Sequence, residues 1–232
     1  MRIFRRSLIV LVILAAVLIG ADRLALHLAE GQATDQLRAS AGFGESTEVS
    51  IPGFPFLTQI ISNDLTELDA RVDHYESAMP GGATGRVEDL ELKLHNVAFS
   101  NGYSSATARA ATGSALVPYA ELMHAAPTSG DQVHVTKLSD GGKGRIKVNL
   151  QAADGSKYTV YSTVSVEDDA LRVRAQDLPA SVNGVPRDQL RQHTDFQQSI
   201  TRLPGGIHLR HAEPRPEGLR ITVSGTHVPL RG

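Results

Sequence analysis

Nine histidines, an adjacent acidic pair and a glycine-lysine run are the residues whose types could do chemistry in this chain. A metal site needs His, Asp or Glu converging at fixed spacing, as in His-Glu-x-x-His on one helix face. His208 and His211 stand three apart in a segment that alternates like a strand, so their rings point to opposite faces. Neither a His-Glu-x-x-His motif nor a carboxylate cluster accompanies them, and the histidines read as scattered surface residues. Asp168-Asp169 is paired in sequence, but carboxylates for glycoside chemistry must face each other across a cleft, and a solvated turn accounts for both. Gly141-Gly142-Lys143-Gly144 lacks the Gly-x-x-x-x-Gly-Lys-Ser/Thr order of a phosphate loop and reads as a hairpin turn. There is no Gly-x-Ser-x-Gly elbow, and the lack of cysteine removes thiol catalysis, zinc knuckles and a disulfide framework. These residues point away from an enzyme and imply neither a metal nor a cofactor.

The remaining candidate is apolar. Ile51-Pro52-Gly53-Phe54-Pro55-Phe56-Leu57-Thr58-Gln59-Ile60-Ile61 gathers two of the six phenylalanines. Two prolines impose a rigid extended path, so the bulky side chains sit on a turn rather than in a regular strand. Such a cluster either folds onto the core or stands out as an apolar mouth or membrane-contacting tip.

The elements that position it begin with an unusual N-terminus. Arg2, Arg5 and Arg6 precede an unbroken apolar run from Leu8 to Ala21, and no acidic residue precedes Asp22. A basic start followed by an apolar run marks an export segment. At 1.5 Å per residue the run rises about 20 Å, short of a hydrocarbon core of roughly 30 Å, which suits a signal peptide. The cleavage rule suits an uncleaved anchor, because a cut after Ala21 would leave bulky Ile19 three residues upstream. Residues 1–21 are therefore a signal peptide or an N-terminal membrane anchor, and residues 22–232 are the folded domain.

Leu26, Ala29, Ala33 and Leu37 form one stripe of a predicted helix over Asp22–Arg38, stopped by Gly42 and Gly44. No Pro or Gly cluster separates it from the apolar run, so one continuous helix can leave a membrane and enter the domain. Beyond Gly44 the period becomes two. Leu68, Ala70 and Val72, then Leu90, Leu92 and Leu94, then Ile146, Val148 and Leu150 alternate with polar neighbours. So do Tyr158, Val160, Val164 and Val166, then Leu171, Val173 and Ala175, then Leu219, Ile221 and Val223. Turn signals at Pro80-Gly81-Gly82, Gly141-Gly142, Asp154-Gly155 and Glu217-Gly218 separate them. Strands with one wet and one apolar face belong to antiparallel sheets. Two short helices are expected, one starting at Pro118 and one over about Arg187–Ile200.

Bulk composition narrows the function classes. Hydrophobic residues make up 41%, enough for a core, while aromatics make up only 5%, so the core must be built from Leu, Ile, Val and Ala. A formal net charge of −2 offers no basic footprint for nucleic acid.

Gly53-Phe54-Pro55-Phe56-Leu57-Thr58-Gln59 resembles the signature of the LmeA-like phospholipid-binding family of actinobacterial cell-envelope proteins. The frame around it is similar as well: Ala21-Asp22-Arg23, Val117-Pro118-Tyr119-Ala120-Glu121-Leu122, Leu203-Pro204-Gly205-Gly206, Glu217-Gly218-Leu219-Arg220-Ile221-Thr222-Val223 and Gly225. Members often carry a second Pro soon after Leu-Pro-Gly, where this chain has Gly206-Ile207. The resemblance implies an α+β, mainly β fold of the tubular lipid-binding kind. In it a long N-terminal helix lies against a strongly curved antiparallel sheet that encloses an apolar groove.

It also implies a non-catalytic phospholipid-binding or lipid-transfer protein on the outer side of the cytoplasmic membrane, anchored or secreted into the envelope. Its partners would be phospholipid, the membrane surface and enzymes of lipomannan-type glycolipid assembly. The alternative is a structural module that binds another envelope protein without lipid. The candidate groove or rim residues are Phe54, Phe56, Leu57, Ile60, Leu90, Leu92, Leu94, Ile146, Val148, Leu150, Val160 and Val164. Arg71, Lys93 and Arg109 are candidate headgroup donors.

Overall fold

The computed structural model describes residues 2–39, 46–78, 84–100, 105–125, 133–176, 178–182, 185–199 and 205–231. The signals at Gly42, Gly44, Pro80-Gly81-Gly82 and Leu203-Pro204 lie outside them. The apolar run and the amphipathic segment form one helix, α1 (Arg2–Arg38). After it come β1 (Glu48–Ser50), α2 (Phe56–Ile61), β2 (Asp64–Ala78), β3 (Thr84–Ser100), β4 (Ser105–Pro118) and α3 (Tyr119–Ala125). The chain continues through β5 (Val133–Asp140), β6 (Arg145–Ala152), β7 (Lys157–Glu167), β8 (Ala170–Gln176), β9 (Ser181–Val182) and β10 (Val185–Pro186). It ends with α4 (Arg187–Thr194), β11 (Phe196–Ser199), β12 (Ile207–Pro214) and β13 (Gly218–Arg231).

The fold is mainly β with a long N-terminal helix, and its strands divide into antiparallel sheets that do not close on themselves. A six-stranded sheet has the order β1-β2-β3-β4-β13-β12, and a five-stranded sheet has the order β11-β8-β7-β6-β5. They meet where β12 packs on β7. Leu171 of β8, Ala212 of β12 and Leu219 of β13 are buried together at that junction.

Register explains why the larger sheet has one wet and one dry face, because directly opposed residues share a face. Val49, Ala70, Leu92, Gly113, Val223 and Leu209 pair successively across all six strands as one apolar row. The rows beside it are polar: Glu48, Arg71, Glu91, Ser114, Thr222 and His211, and Ser50, Asp69, Lys93, Thr112, Ser224 and His208.

The alternation is broken along one line. Asn96 and His227 take left-handed backbone angles, φ 49° and 52°, a region that Asn and His enter more readily than most residues. Pairing resumes beyond them in the same register. Side chains three apart therefore reach one face. Leu65 with Leu68, Leu94 with Val97, and Ala108 with Ala111 all join a single cluster, into which Val228, Phe56 and Ile51 are also buried. The sheet creases there around α2 and the middle of α1.

Both edges of this sheet are covered by side-chain acceptors, which removes the hazard of unpaired strand N–H groups. On one side α1 accepts hydrogen bonds from Val49 N–H at Thr34 Oγ1 (3.1 Å) and from Ile51 N–H at Glu30 Oε1 (2.8 Å). On the other side Asp169 Oδ1 accepts from Leu209 N–H at 2.8 Å. Asp168 and Asp169 form the β7–β8 turn with φ of 52° and 57°, both left-handed as a tight hairpin requires.

The smaller sheet buries Ile146, Val148, Leu150 and Val160 under Tyr119 of α3 and Leu190 of α4. The helix expected over Arg187–Ile200 ends at Thr194. Thr194 Oγ1 donates back to the Leu190 carbonyl, a bond that competes with helix continuation, and the next residues find the free edge of β8.

Candidate functional site

The dry face of the six-stranded sheet is the first feature to consider. One of its two middle strands, β4, contributes small residues from Ala106 through Ala108, Ala111 and Gly113 to Ala115, before Val117 opposite Leu219. Larger aliphatic side chains flank them, with Leu92 and Leu94 on β3 and Ile221, Val223 and Val228 on β13. A Cβ at Gly113 would lie 3.1 Å from Val223 Cγ2 and 3.7 Å from Leu92 Cδ1, which places all three side chains on this face. Small residues between two aliphatic ridges make a trough, whose crease end at Ala108 and Ala111 is filled by Phe56 and Ile60 of α2 and by Ala25, Leu26 and Ala29 of α1. Ala70, Leu92, Ala115, Ile221 and Val223 in and beside it are half-buried, whereas Val49 and Leu209 at the ends of the row are buried.

One end of the trough runs to α2. Gly53 adopts φ 117°, and a Cβ there would meet Gln59 Nε2 at 2.6 Å, so the turn requires glycine. Gln59 Oε1 in turn accepts from Thr66 N–H at 2.9 Å, tying the loop to β2. The Phe54–Pro55 peptide is cis. α2 has no cap of its own at Pro55, and Asp22 of α1 supplies one, its Oδ1 accepting from Leu57 N–H at 2.8 Å. Arg23 lies 3.5 Å from Asp22 Oδ2, and its guanidinium sits 4.9 Å above the Phe54 ring.

This geometry sorts the apolar residues of the loop. Phe56 and Ile60, four apart, pack inward beneath the crease. Leu57 and Ile61, also four apart, point outward with Phe54, and their exposures are 37%, 81% and 59%. On α1, Leu24 and Leu28 are exposed on the solvent side, as is the run from Leu8 to Ile19. The stretch Ser7–Arg38 is long and apolar enough to cross a membrane.

The charged residues lie elsewhere and are mostly paired. Arg71 bonds Glu91 at 3.0 Å and Lys93 approaches Asp69 at 3.7 Å, all on the wet face. Arg109 is exposed on β4. The hydrogen bond to His208 holds Asp169 below the usual carboxylate range, aided by the Leu209 N–H. Burial first, then the charges of Asp140 and Glu217, push the Tyr119 phenol up to about 12. Its hydroxyl donates to the Arg215 carbonyl at 2.9 Å and ties α3 to the β12–β13 turn. Among the described residues no three of His, Asp and Glu converge as metal ligands.

The twelve groove and rim candidates fall into distinct groups. Phe56, Ile60, Leu92 and Leu94 come together at the crease. Leu90, half-buried, stands opposite Val72 on the neighbouring strand. Ile146, Val148, Leu150 and Val160 lie in the packed core under α3 and α4, with Val164 at its margin toward the sheet junction. Phe54 and Leu57 belong to the exposed tip. Sequence reasoning missed the small residues of β4 and assigned no role to Ile221 and Val223. The signal for β4 was present in Ala106, Ala108, Ala111, Gly113 and Ala115, but its broken spacing hides the shared face.

Comparison with known proteins agrees with the motif. The family model for LmeA-like phospholipid-binding proteins matches residues 20–224, from just before Asp22 to the end of the apolar row in β13. No curated protein and no solved structure matches the chain.

Proposed function

The chain belongs to the LmeA-like phospholipid-binding family, and we propose that it carries phospholipid acyl chains along the dry trough of the six-stranded sheet, while α1 anchors it to the outer side of the cytoplasmic membrane. The observation that carries this reading is the small-residue floor of β4 at Gly113 and Ala115, beyond the packed crease, between half-buried Leu92, Ile221 and Val223. Each CH₂ taken out of water is stabilised by about 0.8 kcal/mol, so a trough of methyl and methylene groups holds a lipid tail without covalent chemistry. Aliphatic walls suit a mobile chain, since they impose no directional contact. Leu90, Leu92, Leu94, Phe56 and Ile60 belong to this path. Ile146, Val148, Leu150 and Val160, with Val164 at their margin, fill the separate core under α3 and α4 and stand outside this path.

The family resemblance extends the proposal to lipomannan-type glycolipid assembly, with the assembly enzymes as partners. Of the three candidate headgroup donors, Arg71 and Lys93 are paired with carboxylates on the wet face, and Arg109 is exposed on β4.

The test is photo-crosslinking of the full chain in nanodiscs that contain a phospholipid with a diazirine in its acyl chain. Adducts on the peptides carrying Leu92 and Val223, in addition to those on α1, are the expected result. Adducts confined to α1 and α2 would remove the trough as a lipid path and favour a module that binds another envelope protein.

A further inference from the structure

Asp22 is the first charge after the apolar run, yet it is not where α1 leaves the membrane if the helix is to span it. From Leu8 to Ala21 the helix rises only about 20 Å, whereas a hydrocarbon core is about 30 Å thick. Continuing to Leu28 adds about 10 Å and closes the gap. Leu24 and Leu28 are exposed by 62% and 60%, as a lipid-facing helix surface would be.

Asp22 and Arg23 stand in this stretch, and charges at that depth are costly unless they are paired. Asp22 is enclosed by the domain, and Arg23, its side chain 47% exposed, is paired with it. Asp22 is 3% exposed and takes the Leu57 N–H, while Arg23 lies against Asp22 and the Phe54 ring. The bond from Leu57 also sets α2 at this same level of α1. Phe54, Leu57 and Ile61 then project outward at this level of α1, with no role in the core.

We infer that the domain is partly immersed: the outer leaflet closes over Leu24, Leu28, Phe54, Leu57 and Ile61, and the hydrocarbon boundary lies near Leu28 rather than at Asp22. The partner of this exposed apolar surface is the acyl region of the bilayer that α1 crosses. The short apolar run is completed by a foot folded from the domain. This rests on reading α1 as an uncleaved anchor, and it is independent of whether lipid occupies the trough.

The chain contains no cysteine, so single labels are unambiguous. Full-length Ile19→Cys, Leu28→Cys, Arg38→Cys and Ile61→Cys variants, each carrying an environment-sensitive fluorophore, are reconstituted into phospholipid vesicles with or without acyl-chain spin-labelled lipid. All four positions are exposed, and none is a buried packing residue. The expected result is strong quenching at Ile19, Leu28 and Ile61 and none at Arg38. Quenching at Ile19 alone overturns the immersed foot and leaves the anchor standing. No quenching at Ile19 overturns both.

Discussion

The Asp22 carboxylate on α1 accepts the Leu57 backbone N–H at 2.8 Å and thereby caps a helix that begins more than thirty residues later. α2 is only six residues long, with Pro55 at its N-cap position, and makes no side-chain cap of its own. Short helices depend on tertiary support, and unsatisfied N–H groups at a buried helix start are destabilising. Asp22→Ala is expected to lower the stability of the full chain in detergent by about 0.5–2 kcal/mol, the range for losing an N-cap acceptor. Asp22→Asn keeps an oxygen in place and should lose much less. Chemical denaturation followed by far-ultraviolet circular dichroism distinguishes the two, and equal losses would show that charge rather than the acceptor holds α2.

Gly113 stands at the centre of the apolar row, where any side chain would rise between Leu92 and Val223. The Cβ of a larger residue would sit 3.1 Å from Val223 Cγ2 and 3.3 Å from the Glu91 carbonyl oxygen, which is tight but movable. Gly113→Val is expected to cost about 1–3 kcal/mol through overpacking and to fill the trough. Acyl-chain labelling of the Leu92 and Val223 peptides should then fall, while Thr112→Val on the wet face leaves it unchanged. Wild-type labelling in a folded Gly113→Val protein would exclude the trough as the lipid path.

The contrast between these sites shows where sequence reasoning succeeds. Leu90-Leu92-Leu94, Ile146-Val148-Leu150 and Leu219-Ile221-Val223 were legible as strands because each has one wet face, which forces period two. The continuity of α1 was legible because nothing interrupts it. The crease was not, since Asn96 and His227 reach their left-handed angles together on separate strands, and no local pattern links them. The division of the Phe54–Ile61 loop was hidden for a similar reason. Which phenylalanine turns inward is decided by the docking of Asp22 and Arg23, contacts made across the chain. The end of α4 depended on a vacant edge of β8, which a sequence window does not contain.

Tyr119 yields a prediction in pH. Its phenol is buried and pushed from 10.0 up to about 12, so the folded chain holds that proton more tightly than the unfolded one. Stability from this group is complete below pH 10 and is lost as pH rises through about 12, because in that window the unfolded state binds fewer protons than the folded state. Tyr119→Phe cannot ionise, and it leaves the Arg215 carbonyl without its donor. The variant should be less stable than wild type at neutral pH by about 1 kcal/mol, the usual cost of one lost hydrogen bond. Above pH 10 the gap should narrow, since only the wild type pays the deprotonation cost. Denaturation midpoints measured from neutral pH into that window test this directly. Convergence of the two curves supports a phenol held neutral by burial, whereas parallel curves would mean that Tyr119 titrates as it does in the unfolded chain.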